Sequence, residues 1–462
     1  MAEKSAIPVE LGTEKIGRLL KQYALPAIIA QTASSLYNMV DSIFIGQGVG
    51  PLAISGLAVT FPLMNLSTAF GTLVGAGAAT MLSVLLGQKN YKAANKVLGN
   101  VVSLNVILGL LFMAVALIFI DPILYFFGAS ENTLPYAKEY IQIILYGNIV
   151  THLYFGLNAA MRSSGNPKKA MALTIFTVVF NTILDPIFIF VFDMGIAGAA
   201  WATVIAQTAA MMVVLKHFSD KSRAFHFEKG IFKLDPRVAK DSLVIGMGPF
   251  LMNAAACLVT LFINQQLRDY SGDLGIGSYG ICNRFIFMFI MICMGLNQGM
   301  QPIAGYNYGA KQYSRVKEVF WMTAKFGTIV TTICFCIGMF IPRLASGIFT
   351  HDEELLNMSA EGLRILTIGF PIVGFQMIGT NFFQCLGMVK KSIILSLSRQ
   401  LLFLLPLLYC LPLWMGANGV WMSFPISDVL SAILTAILLR RLFKKFNTLK
   451  DGEESTILGS NL

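Results

Sequence analysis

Phe180-Asn-Thr-Ile-Leu-Asp-Pro-Ile-Phe-Ile189 sets an amide, Asn181, and a carboxylate, Asp185, four residues apart in a run otherwise apolar enough for a lipid interior. On a helix that spacing gives them one face. Pro186 follows directly. It has no N–H, so it leaves the Thr182 carbonyl without its helical partner and is expected to bend the helix beside the carboxylate. An amide oxygen, a carboxylate and a loosened carbonyl on one apolar helix predict a proton or cation site inside a membrane.

The surrounding composition agrees. With a mean hydropathy of +0.69, 56% hydrophobic residues and only 13% charged ones, the chain is too apolar for a soluble domain, whose charged fraction is about 25%. Apolar runs of roughly 20 residues or more recur along the whole length, and about twelve of them are long enough to cross a hydrocarbon core. The predicted fold class is therefore all-α integral membrane, with no soluble domain. The N-terminal residues are polar and charged, without the short apolar run and cleavage site of a signal peptide, so the first crossing is expected to serve as its own targeting signal.

The formal charge of +10 would suggest nucleic acid in a soluble protein, but its distribution excludes that reading. Basic residues fall in alternate loops: Lys89, Lys92 and Lys96; Arg162, Lys168 and Lys169; seven Lys and Arg between 216 and 241; Lys311, Arg315 and Lys317; Lys390 and Lys391; and Arg440, Arg441, Lys444 and Lys445 at the end. Asp121, Glu131, Asp193, Asp273 and Asp352-Glu353-Glu354 occupy the opposite loops. The positive-inside rule then places both termini in the cytoplasm, with an even number of crossings. All 7 cysteines lie in the second half, mostly in apolar runs and without a Cys-x-x-Cys pair or a histidine partner, so they read as small core hydrophobes.

In chain order, Thr13 to Lys21 is expected to form a short amphipathic helix on the inner surface, before Pro26. In crossing one, Gln31, Ser34, Asn38 and Asp41 step along one face, with Tyr37 on the same helix, making a polar stripe that suits a cavity. An aspartate at mid-bilayer depth is disfavoured by about 3 kcal/mol, which marks Asp41 as functional. Crossing two (52–86) carries Gly71, Gly75 and Gly77, a spacing for close helix packing. Crossings three and four are expected at 97–120 and 137–161. His152 in the fourth reads as a hydrogen-bonded packing residue, with a proton relay as the alternative. Crossing six carries Thr203 and Gln207 at i, i+4.

The charged loop at 216–241 divides the chain nearly in half, and the halves repeat. Pro26 matches Pro249, Gly71 and Gly75 match Gly295 and Gly299, and Gly87-Gln-Lys-Asn-Tyr91 matches Gly309-Ala-Lys-Gln-Tyr313. Gly165-Asn-Pro-Lys-Lys169 matches Gly387-Met-Val-Lys-Lys391 and Met194-Gly195 matches Met415-Gly416, with the offset held at 221 to 224 throughout. Two six-helix lobes in the same orientation, related by a pseudo-two-fold axis along the membrane normal, are the expectation. The expected boundaries are a disordered N-terminus (1–12), an N-lobe (13–217), a cytoplasmic loop (218–241), a C-lobe (242–445) and a disordered tail (446–462). Asp41 corresponds to Asn264, and Asn181 and Asp185 to Phe403 and Leu407, so ionisable chemistry concentrates in the first half. The second half keeps a neutral polar stripe of Asn253, Cys257, Thr260 and Asn264, suited to a cavity wall.

Asp428, midway along crossing twelve, reads either as a substrate contact or as an interhelical pair. Arg284 and Arg399 read as snorkelling or structurally paired. Gly275-Ile-Gly-Ser-Tyr-Gly280 has the spacing of a dinucleotide-binding loop but opens a membrane helix without a preceding strand, so a tight turn is the expected role. A P-loop and H-E-x-x-H are both missing from the sequence, which argues against an ATP-driven pump or a zinc enzyme.

Several of these segments together resemble the multidrug and toxic compound extrusion (MATE) transporters, with similarity to the bacterial MepA-like and DinF-like branch. They are Val40-Asp-Ser-Ile-Phe-Ile-Gly46, Gly165-Asn-Pro-Lys168, Asn181 to Pro186 and, most specifically, Asn297-Gln-Gly-Met-Gln-Pro-Ile-Ala-Gly-Tyr-Asn-Tyr-Gly-Ala310. The resemblance covers about residues 14 to 445. It implies twelve helices in two lobes around a central cleft, rocking between inward-open and outward-open states. It also implies a cation or proton site at Asp41, Asn181, Asp185 and Thr203. The C-lobe acids of Na+-coupled relatives are not matched, since Cys257 stands near the first position.

The expected function is secondary active multidrug efflux: cationic lipophilic compounds leave by antiport against H+ or Na+, in a multi-pass protein of the cytoplasmic membrane. Two carboxylates close together in low dielectric cannot both stay charged cheaply, so the pair should hold a proton or a cation, and a cationic substrate should compete for it. Gln31, Ser34, Tyr37, Asn38, Gln207, Asn253, Asn264 and Asp428 are the candidate cavity residues. No cofactor beyond the coupling ion, no other metal, no catalytic group and no nucleic acid are expected; membrane lipids surround a monomer. A lipid-linked precursor flippase is the alternative within transporters, although a pyrophosphate would call for cations where this sequence puts acids. A membrane enzyme or receptor is the alternative from another class.

Overall fold

The computed structural model describes residues 10–453 other than 224, 229, 231 and 351; the side chains of 38, 39, 46, 51 and 273 also lie outside the described residues. Among the described residues 87% is helix and none is strand, the secondary structure that satisfies backbone polar groups within their own segment at membrane depth. The helices are α1 (Ile16–Gly48), α2 (Pro51–Gly87), α3 (Tyr91–Ile118) and a broken α4 (Leu134–Tyr146, Asn148–Ser163). Then come α5 (Pro167–Pro186, extended by a π turn over Ile187–Val191), α6 (Gly195–Ser219), α7 (Pro236–Gly272) and α8 (Leu274–Gly309). They are followed by α9 (Tyr313–Phe340), a broken α10 (Glu353–Thr367, Phe370–Cys385), α11 (Val389–Met415) and α12 (Ala417–Thr448).

Among the described residues nine helices are long and apolar enough to span a bilayer, or ten when the bent α10 pair is counted as one span. With α1 and the broken α4, the described residues form the twelve-helix arrangement expected from sequence.

Several segments depart from expectation. The stretch from Thr13 to Lys21 is not a separate surface helix: α1 starts at Ile16 and runs through Pro26 without interruption. Leu19, Leu20, Tyr23, Ala24 and Ala27 form a continuous buried face across the proline, and that packing outweighs one missing backbone bond. Gly275, Gly277 and Gly280 lie inside α8; the turn belongs to Gly272, whose φ of 62° and ψ of −159° suit a residue without a side chain. Helix α7 begins at Pro236, inside the segment read as loop, because Asp235 Oδ1 accepts from the Arg237 N–H at 3.0 Å and caps it.

Residues 446–453 are ordered. The last helix runs to Thr448, and Asp451 then caps the start of α9: its Oδ1 accepts the Ser314 N–H at 3.0 Å, and its other oxygen accepts the Ser314 hydroxyl. Residues 1–9 and 454–462 of the expected disordered termini lie outside the described residues.

The repeat is visible in the backbone. Lys89 (φ 58°) and Lys311 (φ 59°) share a positive φ after α2 and α8, and Gly195 (φ 57°), the first residue of α6, matches Gly416 (φ 59°) just before α12.

The chain divides into two compact units, and the division does not fall at the charged loop. One unit is Ile29–Phe250; the other joins Glu14–Ile28 to the chain from Leu251 onward. In the first, α2 forms a spine: Gly75 meets Gly156 of α4, and Gly71 meets His152. The first half of α7 lies so close that a Cβ at Gly77 would strike the Ser242 carbonyl and one at Gly246 the Leu73 carbonyl. In the second, Gly299 and Gly295 of α8 press against Ala24 and Ile28 of α1. Arg315 fixes the same α1 segment by donating to Asn307 Oδ1 at 2.8 Å and to the Glu14 carbonyl at 2.6 Å. A core of Val259, Ile263, Leu267, Phe285, Leu363, Phe370 and Trp421 fills that unit.

Candidate functional site

The residues read from sequence as one site do meet, and they meet wholly within the first unit. Asn181 and Asp185 are 2% and 0% exposed on the inner face of α5; Asp41 of α1 and Thr203 of α6 are 6% and 7% exposed. Asn181 Nδ2 donates to Asp185 Oδ1 at 3.1 Å and reaches Thr203 Oγ1 at 3.5 Å. The Asp41 and Asp185 carboxyls are within hydrogen-bonding reach of one another. Thr203 in turn donates to the Ala199 carbonyl at 3.1 Å, which fixes its rotamer.

Pro186 acts where the sequence placed it, but the outcome is a π turn. Beyond it the helix widens, so that the Phe192 N–H bonds the Ile187 carbonyl five residues back, at 3.0 Å. Such turns mark places where a helix has been fitted around a local requirement. Ile189, inside the turn, packs with Ile45, Tyr140, Ile196 and Ala200, closing the carboxylates off with apolar walls.

Two tyrosines complete the surroundings. Tyr37, read from sequence as a cavity residue, shares a 3.0 Å hydrogen bond with Thr203 Oγ1. Tyr140 of α4, 1% exposed and not singled out by sequence, is an electrostatic neighbour of both Asp41 and Asp185. The available signal was a phenol in the interior of an apolar helix, a group that needs a polar partner once buried.

Three oxygens remain buried without a protein partner: Asp41 Oδ1, Asn181 Oδ1 and Asp185 Oδ2. Because Asn181 uses its Nδ2 on Asp185, its amide turns oxygen toward whatever the site receives. An all-oxygen set with carboxylates suits a proton or a hard monovalent cation and offers nothing to soft metals. A carboxylate removed from water costs several kcal/mol even after relaxation, so the pair demands a positive charge. Among the described residues no Lys or Arg forms an ion pair with either aspartate.

The other candidates are dispersed. Gln31 and Ser34 are half-buried on α1, and the side chain of Asn38 lies outside the described residues. Gln207 Oε1 accepts the Thr151 hydroxyl, linking α6 to α4. Asn253 and Asn264, both half-buried on α7, and Asp428 belong to the second unit, where Asp428 pairs with Arg399 at 2.7 Å. Of the two readings of Asp428, the interhelical pair is therefore the one with a partner in place. His152 joins a separate buried group: Ser67 Oγ lies 3.3 Å from its Nε2 and donates to Asn148, whose Nδ2 bonds the Gly109 carbonyl at 3.0 Å. Arg284 is exposed on the surface of α8.

Comparison with known proteins finds both sequence relatives and structural neighbours. The MatE family model matches twice, over residues 26–187 and 249–410, an offset of 223 that reproduces the internal repeat. The multidrug export proteins MepA of Staphylococcus aureus strain MSSA476 and of Staphylococcus haemolyticus are 28% and 27% identical, each over 92% of this chain, covering 94% and 93% of the relative. Among solved structures, the MATE multidrug transporter DinF-BH, solved with a bound compound, is 37% identical, with a TM-score of 0.88 over 95% of this chain and 98% of its own. A multidrug resistance MATE family transporter of the MOP superfamily, in an outward-facing conformation, superposes with a TM-score of 0.90 over 97% of this chain and all of its own, at 22% identity.

Proposed function

Because the chain belongs to the MatE family of membrane transporters, we propose that it is a secondary multidrug exporter in which Asp41, Asn181, Asp185 and Thr203 form the coupling site for H+ or Na+. The observation that carries the proposal is the trio of buried, unpartnered oxygens on Asp41, Asn181 and Asp185, on a carboxylate pair that has no basic partner among the described residues. Such a pair is cheap to bury with one proton or cation and expensive without it.

The cycle follows from that asymmetry. Loading the site with a cation neutralises the pair and lets the apolar walls around Ile189 and Tyr140 close over it. Release of the ion leaves negative charge that a lipophilic cation neutralises instead, so the two occupants exclude one another. Mutual exclusion is the coupling an antiporter requires, and alternating exposure of the two states turns an inward ion gradient into outward substrate movement. Tyr37 and Thr203 hold the donor geometry, and Asn181 keeps Asp185 oriented. The substrate class is small lipophilic cations, the protein sits in the cytoplasmic membrane with both termini inside, and it works as a monomer among lipids. Members of the family are transporters, and no catalytic role is assigned. The acidic character of the site disfavours a pyrophosphate-bearing lipid as substrate.

The test is transport of ethidium, a lipophilic cationic dye, into proteoliposomes under an imposed pH gradient or an imposed Na+ gradient, with Asp41→Asn alongside. Uptake driven by one gradient and abolished in the variant supports the proposal and identifies the ion. Gradient-driven uptake that persists in Asp41→Asn refutes the site.

A further inference from the structure

The second unit contains a buried carboxylate of its own, and its surroundings are the opposite of those of Asp41 and Asp185. Arg399 lies in a π turn of α11 (Ser398–Leu404), and its Nε donates to Asp428 Oδ1 on α12 at 2.7 Å. The Ser427 hydroxyl donates to the Arg399 carbonyl at 2.6 Å, so side chain and backbone both tie the helices together. The side chain of Asp428 is 4% exposed and that of Arg399 is 27% exposed.

Three irregularities converge on this pair. Helix α10 is bent by 55° between Thr367 and Phe370, α11 widens into its π turn, and α12 contains Pro425. Gly369, in the α10 break, lies against the aspartate: a Cβ there would come within 3.1 Å of Asp428 Cβ and 3.3 Å of its Oδ2. The second half of α10 starts at Phe370 without a side-chain cap, and the Ile372 N–H turns back to the Gly369 carbonyl at 3.1 Å. At the repeat-equivalent places in the first unit stand Gly147, Thr177 and Gln207, none of them charged, and Gln207 accepts the Thr151 hydroxyl.

We propose that Arg399 is a tethered counter-ion, taking beside Asp428 the place that a mobile cation takes beside Asp41 and Asp185, and thereby sets the number of coupling ions carried per cycle. The proposal rests on the reading of the first-unit site as the coupling site. A guanidinium stays protonated at any working pH and cannot leave, so Asp428 gains nothing from an incoming proton or Na+. Asp428 is thereby electrically silent. Removing only the guanidinium would leave a carboxylate enclosed between α10, α11 and α12, which must then draw a proton or cation from solution. Of the groups around the pair, Arg399 is the charged one acting on Asp428, while Tyr279 on α8 is the titratable one next to Arg399, with Cys282 in turn beside Tyr279.

The test uses the purified full chain in detergent, with Arg399→Leu, Arg399→Lys and the double variant Arg399→Leu/Asp428→Asn, and reads thermal unfolding midpoints across pH 5 to 9. In Arg399→Leu the folded state holds a proton on Asp428 that the unfolded state releases. The stability this provides is present at low pH and lost as pH rises, up to tenfold in the unfolding constant per pH unit beyond that of the double variant. Arg399→Lys and the double variant follow the wild-type profile. Identical profiles for Arg399→Leu and the double variant overturn the proposal, as does Arg399→Leu failing to fold at every pH while the double variant folds. The readout does not depend on transport, so a failure here is distinguishable from failure of the coupling site, which Asp41→Asn reports in flux.

Discussion

Replacing Asp185 by Asn removes one ionisable oxygen and almost nothing else. The side chain is 0% exposed, and its Oδ1 accepts from Asn181 Nδ2 at 3.1 Å; an Asn oxygen in the same place still accepts that bond. The variant is therefore expected to fold, with stability within about 1 kcal/mol of wild type, because it removes one of two neighbouring carboxylates rather than one member of an ion pair. The transport consequence is large. If one monovalent substrate leaves for one proton, no net charge moves and only the pH gradient drives accumulation, about 1.4 kcal/mol or tenfold per unit. A gradient of about two units should thus concentrate a cationic dye roughly a hundredfold in wild-type proteoliposomes. Asp185→Asn should reach no more than equal concentrations, though dye exchange across the membrane can persist. The assay is steady-state accumulation after dissipation of the membrane potential. Gradient-dependent accumulation near the wild-type ratio in a variant of wild-type thermal midpoint would refute the argument, since it would show Asp41, the buried carboxylate that remains, carrying the coupling alone.

Gly77→Val should cost roughly 1–3 kcal/mol through the Ser242 carbonyl it strikes, read as a lower thermal midpoint, while Gly280→Ala on α8, with open space around it, should be neutral. Asp451 lies beyond the last helix; partial burial opposes its charge, but the bonds from the Ser314 hydroxyl and N–H prevail and hold its carboxyl below the usual range. Its folded value being depressed, the docking of the tail on α9 is complete above about pH 4 and lost as pH falls further, read as faster amide exchange at residues 450–453 in acid. A membrane-permeant thiol reagent should modify exposed Cys336 and Cys410 in the folded protein and reach Cys282, Cys293, Cys334 and Cys385 only on unfolding, as peptide mapping will show.

The parts of this molecule that were readable in the sequence are those with a cost attached. An aspartate in an apolar helix is expensive wherever the helix packs, so Asp41 and Asp185 declared themselves, and the i, i+4 spacing supplied Asn181. The repeat was readable because the same turns recur: the Lys89 and Lys311 φ angles differ by a degree. Tyr140 escaped because a tyrosine in an apolar helix has many innocent roles, and only the packing of α4 against α1 and α5 gives it carboxylate neighbours. The π turn after Pro186 escaped because a missing N–H permits a bend, a break or a widening, and the choice is made by how Ile189 packs against Ile45 and Ile196. The boundary between the units was invisible for a related reason. Charge marks the longest loop, whereas packing is decided by glycines hundreds of residues away from the segments they receive.

That last feature has a consequence for how the chain is made. The α1 segment leaves the ribosome well before its packing partners, for Ala24 and Ile28 find their final contacts on Gly299 and Gly295, and Glu14 is fixed by Arg315. At translation rates of about 5–20 residues per second, some 270 residues separate synthesis of the guest from that of its host, a wait of roughly 15–55 s. Through that interval an apolar half-helix must be sheltered by lipid, the insertion machinery or a provisional neighbour. Biogenesis, rather than final stability, is then the step most exposed to changes at Gly295 and Gly299.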